Sequence, residues 1–219
     1  MQVFQSFFLA GLWSSILGTV SPSPATCMNS EASISVIPLV SEAVVETERS
    51  RAEIKRMAGP KNVPGFTLQG LAQVTFESSF RASFVLSETK SGRWCADLRK
   101  VEVDFGFSRP PIVYVAKELD YGSCNFRAVL AHEYEHVDIA KRAVATGTKT
   151  IEARLKSVLQ DSFPHEGPTK QTAYNDARET IEEAVQSAVA EVLEWAEAEN
   201  AAIDTPASYS RLGRECLPG

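Results

Sequence analysis

The segment Ala128–Ala143, AVLAHEYEHVDIAKRA, constrains this chain more than any other. Its apolar residues recur with helical spacing. Turning about 100° per residue from His132, the positions Ala128, Val129, His136, Ile139 and Ala143 all fall within roughly 60° of it. The segment is therefore expected to be a helix that buries the stripe carrying two histidines. His132, Glu133 and His136 spell H-E-x-x-H. Imidazoles four residues apart project from one helix face about one turn from each other and can share one zinc ion. Glu133 points toward the same region. Zinc lowers the pKa of its water to about 7, and a carboxylate can then take the proton as the hydroxide attacks a carbonyl. The chain has three histidines, and two of them stand in this motif. Glu135 and Asp138 depart from the usual metalloprotease helix, which is uncharged at those places. The plainer alternative is a pair of core histidines on an ordinary helix.

A catalytic zinc site needs a third protein ligand and an open position. The metzincin continuation is absent, since Ile139-Ala140-Lys141 stands where its glycine is wanted. His165 lies in Phe163-Pro-His-Glu-Gly-Pro168, which reads as a turn. If the motif helix runs on through Ile151–Gln160, His165 lies about 40 Å from the metal at about 1.5 Å per residue. The return helix, Ala173–Ile203, offers a better donor. Taking Ile181 as origin, Tyr174, Val185, Ala188, Val192, Trp195 and Ile203 fall within roughly 40° of one line. Glu199 falls at the centre of that stripe, where a carboxylate is costly unless paired or bound to a metal. A turn centred near residue 166 also sets residue 134 opposite 198 or 199 in an antiparallel pair. Glu199 is accordingly the expected third ligand. Asp204 is the second choice, because Asp204-Thr205-Pro206 also reads as a helix N-cap with proline in the first turn. Tyr134 and Tyr209 are candidates for stabilising an oxyanion, with Tyr209 the better placed. A packing tyrosine near the terminus is the plainer reading of Tyr209.

The rest of the chain supplies the setting. Its 219 residues are 44% apolar and 23% charged, as expected of one globular domain. A net charge of −6 leaves no basic footprint, so nucleic acid is not an expected partner. Phe4–Val20 is mostly apolar and too interrupted for a membrane span, and Ser21-Pro-Ser-Pro-Ala25 follows it. Met1–Ala25 therefore reads as a secretory signal peptide, leaving 26–219 as a single exported domain in the periplasm or outside the cell. A lipoprotein acylated at Cys27 is the alternative. Four cysteines without a C-x-x-C pair suggest two disulfides in an exported chain. Cys95–Cys124 would staple the sheet to the motif helix and Cys27–Cys216 would tie the termini, though three pairings are open. Glu42–Ala58 is a short charged helical pattern ended by Gly59-Pro60. Leu68–Phe76, Ser79–Ser87, Ala96–Phe107 and Ile112–Ala116 read as strands of a small, mostly antiparallel sheet. The edge of Ile112–Val115 could take an extended peptide by backbone pairing.

The run Val113-Tyr-Val-Ala-Lys-Glu-Leu119, then Cys124, Val129–Ile139 and Ile203-Asp-Thr-Pro-Ala-Ser-Tyr209 resembles an uncharacterised family of exported bacterial HExxH zinc-dependent peptidases. The resemblance covers about Ile112–Cys216 and implies a zincin-like fold with the two histidines and Glu133 in their family roles. Tyr209 stands roughly where some relatives carry a histidine. The expectation is thus an α+β, zincin-like domain, with a long antiparallel helical hairpin carrying HExxH packed on the sheet. Its expected function is that of a secreted zinc metallopeptidase acting on a peptide or protein substrate. Zn2+ would be held by His132, His136 and Glu199, with Glu133 as general base. The competing class is a non-catalytic envelope binding module with a structural or vestigial metal site.

Overall fold

The computed structural model describes residues 2–5, 27, 31–59 and 68–216, with the backbone alone at 2–5 and 212–215. The elements in order are β1 (Gln2–Gln5), β2 (Ser33–Leu39), β3 (Val44–Glu46), α1 (Arg51–Ala58), β4 (Gly70–Glu88), β5 (Trp94–Phe107) and β6 (Ile112–Val115). They continue with α2 (Cys124–Ser162), β7 (His165–Gly167), α3 (Lys170–Ile203) and α4 (Pro206–Glu215). The class is α+β, as the alternation of strand and helix patterns implies.

The sheet is mixed and seven-stranded rather than mostly antiparallel and small, with the order β2-β5-β4-β6-β3 and with β1 on β4 and β7 on β5. The long expected strands are present, but Leu68–Phe76 and Ser79–Ser87 are fused into β4. No Gly or Pro interrupts Glu77-Ser78-Ser79, so the ladder to β5 runs through them, from Phe76↔Phe107 to Glu88↔Trp94 with one register shift between Ser83 and Phe84. The parallel strands are additions. β2 pairs with β5, β3 pairs with β6, and the backbone of β1 pairs with β4. Only the second half of the expected Glu42–Ala58 helix is helical. Ser50 and Glu53 form a capping box that starts α1 at Arg51, and Val44–Glu46 is strand. The expected turn around His165 contains β7, whose His165 pairs with Ala96.

One face of β4 and β5, with Val74, Phe76, Leu98, Val101, Val103 and Phe105, packs on α2 and α3 in the main core. A second cluster seats the first half of α2 on the sheet through Val129, Phe126 and Val137 against Ala72, Val113 and Val115. α3 runs back along α2: Arg154 meets Glu191 at 3.0 Å, and nearer the start of α2 His136 meets Asn200 at 2.7 Å. The disulfides are Cys27–Cys95 and Cys124–Cys216, not the pairings Cys95–Cys124 and Cys27–Cys216. β7 brings the turn after α2 onto Trp94–Ala96, beside Cys95. The tail after α3 instead folds back to the start of α2, where Cys216 meets Cys124. Cys27, the candidate for acylation, is thus a disulfide partner. Two disulfides fit a protein that matures outside the reducing cytosol. Among the described residues no helix is long and apolar enough to cross a membrane. The signal-peptide reading of Met1–Ala25 lies outside the described residues, apart from the backbone of Gln2–Gln5.

Candidate metal centre

The motif falls in the third and fourth turns of α2, whose N-terminus is capped by Ser123 accepting from the Phe126 N–H at 3.1 Å. His132, Glu133 and His136 are 3%, 4% and 1% exposed, so the apolar stripe carries both histidines inward, and Glu133, off that stripe, is buried as well. Glu133 turns toward β4, against Gly70. The two imidazoles turn toward the end of α3, with ring centroids 5.0 Å apart and edge to face.

The carboxylate that meets them belongs to Asp204. Its Oδ1 lies 3.2 Å from His132 Nε2 and 3.1 Å from His136 Nε2. One donor atom from each of the three residues lies within 4.8 Å of the others. Asp204 is placed by the corner between α3 and α4. It closes α3 with its N–H donating to the Asn200 carbonyl at 3.1 Å. The rival role of Asp204 as N-cap of the next helix falls to its neighbour. Thr205 Oγ1 accepts from the Ser208 N–H at 3.2 Å, with Pro206 as the first residue of α4. The Asp204 side chain is thereby left to face the histidines. The first turns of α4 bring Tyr209 over it: the phenol donates to Asp204 Oδ1 at 2.9 Å, and its ring lies 5.4 Å from that of His132.

Glu199, the expected third ligand, is not brought to the histidines. Its side chain is 45% exposed and lies 3.8 Å from Arg142. Asn200 takes the inner position instead, with Oδ1 2.7 Å from His136 Nδ1. Asn200 escaped the sequence reading. The signal for it was present, since Asn200 and Asp204 are four apart and continue the spacing of Ala184, Ala188, Val192 and Ala196. His165 is far from the motif, at the other end of α2 beside Phe163. Tyr134 packs against the cluster under β6.

The electrostatics agree with this geometry. Burial would raise the Asp204 carboxyl, but its contacts with His132 and His136 outweigh burial and hold it well below the usual carboxylate range. Burial opposes charge on His132, yet Asp204 and Glu133 outweigh it and raise the ring. Burial raises Glu133, with the two histidines pulling the other way. Burial and the adjacent Asp204 both raise the Tyr209 phenol. At 3.1 Å a carboxylate oxygen and an imidazole lone pair repel, so this approach requires either a hydrogen on the ring nitrogen, donated to the carboxylate, or a metal ion between them. Two imidazole nitrogens and one carboxylate oxygen make a donor set suited to zinc. The residues present therefore fit a metal ion.

Fold and site together define an α+β domain whose motif helix and return helix meet in a His-His-Asp cluster able to hold a metal, with a buried glutamate alongside. No family model, curated protein or solved structure matches the chain.

Proposed function

We propose that the chain is an exported zinc-dependent hydrolase of zincin type that cleaves peptide bonds. His132, His136 and Asp204 would hold the zinc, in place of the expected set with Glu199. The observation that carries this reading is the approach of the two Nε2 atoms to Asp204 Oδ1, with Glu133 buried on the same helix turn. The peptide-bond class is supported by the HExxH order of base and ligands and by the family resemblance of the segments around it.

When bound, zinc supplies Lewis acidity, which polarises a carbonyl and acidifies water. The chain's own groups do the rest. Glu133 accepts the proton of the attacking water on a carboxylate oxygen and passes it to the departing amide nitrogen. Its burial suits both steps, because burial strengthens its hold on a proton. Tyr209 holds Asp204 Oδ1 in place through its phenol.

Elemental mass spectrometry of the purified protein is expected to find about one zinc per chain. Asp204→Ala should lose the zinc and Glu199→Ala should keep it. Glu133→Gln is expected to retain zinc and to lose hydrolysis of a peptide library by about 10²- to 10⁴-fold, the usual weight of a general base. A zinc-free wild type after reloading overturns the metal site. A Glu133→Gln protein with full activity overturns the mechanism, and zinc without any hydrolysis in the wild type favours the binding-module class.

A further inference from the structure

We propose that Asn200 is the positioning residue that fixes His136 in the tautomer whose Nε2 is left free for a metal ion. Its purpose rests on the metal-site reading above, whereas its geometry stands without it. Asn200 lies one turn before Asp204 on the inner side of α3 and is 5% exposed. Its amide has one orientation. Nδ2 donates to the Ala196 carbonyl at 2.6 Å, so the atom 2.7 Å from His136 Nδ1 is Oδ1. The flipped amide would set Oδ1 against that carbonyl oxygen. An amide oxygen can only accept, so Nδ1 must carry the hydrogen. In the neutral ring Nε2 is then the lone pair, and Nε2 is the atom that faces Asp204 Oδ1.

Asparagine is a poor choice for this position on helix propensity and on burial alone. A merely structural role would be to satisfy the Ala196 carbonyl. A carbonyl inside a helix already has the N–H four residues on as its donor and needs no second. The ring nitrogen of His136 is different. His136 is 1% exposed, and its Nδ1 lies 2.7 Å from the Asn200 oxygen. Outer partners of this kind set the tautomer and orientation of metal-binding histidines.

The test compares wild type, Asn200→Ala, Asn200→Asp and, as a control, Glu199→Ala. Zinc affinity is measured by competition with a chromophoric chelator, and folding by near-UV circular dichroism. Long-range ¹H–¹⁵N spectra of the ring nitrogens are recorded at pH 8, metal-free and zinc-loaded. Asn200→Asp keeps an acceptor in place and loses the donor to Ala196, whereas Asn200→Ala loses both. The expected result is that Asn200→Ala binds zinc about 10- to 100-fold more weakly. Glu199→Ala should stay close to wild type, and Asn200→Asp, which keeps the acceptor but sets an oxygen against the Ala196 carbonyl, should fall between wild type and Asn200→Ala. His136 Nδ1 should carry a proton in wild type, metal-free and zinc-loaded, and in metal-free Asn200→Ala the neutral ring should keep its proton on Nε2, facing Asp204. Affinity unchanged in Asn200→Ala, or an Nδ1 without a proton in the wild type, overturns the proposal. If the wild type takes up no zinc, the metal reading falls and the metal-free spectra alone decide whether Nδ1 carries the proton. If Asn200→Ala does not fold, the wild-type spectra decide.

Discussion

Beneath Glu133 there is no room for a side chain. A Cβ on Gly70 would stand 2.6 Å from Glu133 Oε1, 2.7 Å from its Cγ and 2.7 Å from Val129 Cγ1. Strand backbone thus backs the proposed base directly, and the glycine is required by close approach rather than by its torsion angles. Gly70→Ala must either push Glu133 aside or lift α2 off β4. Overpacking of this kind costs about 1–3 kcal/mol. The urea midpoint is therefore expected to fall, and hydrolysis is expected to fall further than zinc content, because Glu133 moves while the ligands do not. Equal losses of zinc and turnover would show that the whole helix had moved. Tyr209→Phe acts on the other side of the site. A hydrogen bond to a charged group contributes about 1.5–3 kcal/mol, and the partly buried Tyr209 belongs at the lower end. Zinc affinity in Tyr209→Phe is expected to drop about tenfold with the fold intact. Chelator competition measures this, and an unchanged affinity would mean that the phenol only packs against His132.

The same contrast between short and long reach explains what could be read at the level of elements. His132, Glu133 and His136 span four residues, so a helical projection over little more than one turn places them correctly. The third ligand needed the projection to hold over 18 residues, from Ile181 to Glu199. It does not hold, because the buried row of α3 steps by fours through Ala184, Ala188, Val192, Ala196 and Asn200. Each such step turns about 40° beyond a full circle, so the inner face winds round the helix. By the end of α3 it has passed Glu199 and reached Asn200 and Asp204. Helices that cross at an angle meet along this kind of row, and sequence alone does not state the crossing angle. The sheet shows the same limit. β4, β5 and β6 are adjacent in sequence and declare themselves by alternation. β2 pairs with Lys100–Gly106 far along the chain, and its half-exposed residues carry little pattern. The winding row has a direct consequence for Glu199→Ala. An exposed pair such as Glu199–Arg142 is worth under about 1 kcal/mol. That variant should therefore unfold close to wild type and keep its zinc, whereas Asp204→Asn should unfold cooperatively yet bind zinc far more weakly. Zinc retained in Asp204→Asn and lost in Glu199→Ala would mean that α3 is turned differently at its end.

For the molecule as a whole, the two disulfides guard different things. None of the three buried apolar clusters contains a described α4 residue. α4 is held by the Thr205–Ser208 cap, by Tyr209 on Asp204, and by Cys216, which joins it to Cys124 at the first residue of α2. Cys124–Cys216 therefore closes the corner that carries Asp204 and Tyr209 onto the helix that carries the histidines. It spans 92 residues, a loop for which chain entropy gives roughly 4–5 kcal/mol. Cys27–Cys95 lies instead beside β7, where Cys95 pairs with Glu166, at the far end of α2 from the motif. Removing either bond by paired serine substitutions should lower the melting temperature. Only Cys124→Ser with Cys216→Ser should also weaken zinc binding, because only that bond holds a metal ligand's neighbourhood together. Thermal unfolding and chelator competition on the two double variants measure both effects. If both variants lost stability but kept equal zinc affinity, the main core alone would be holding Asp204 against the histidines. If Cys27→Ser with Cys95→Ser weakened zinc as much, the sheet end and the site would move as one body.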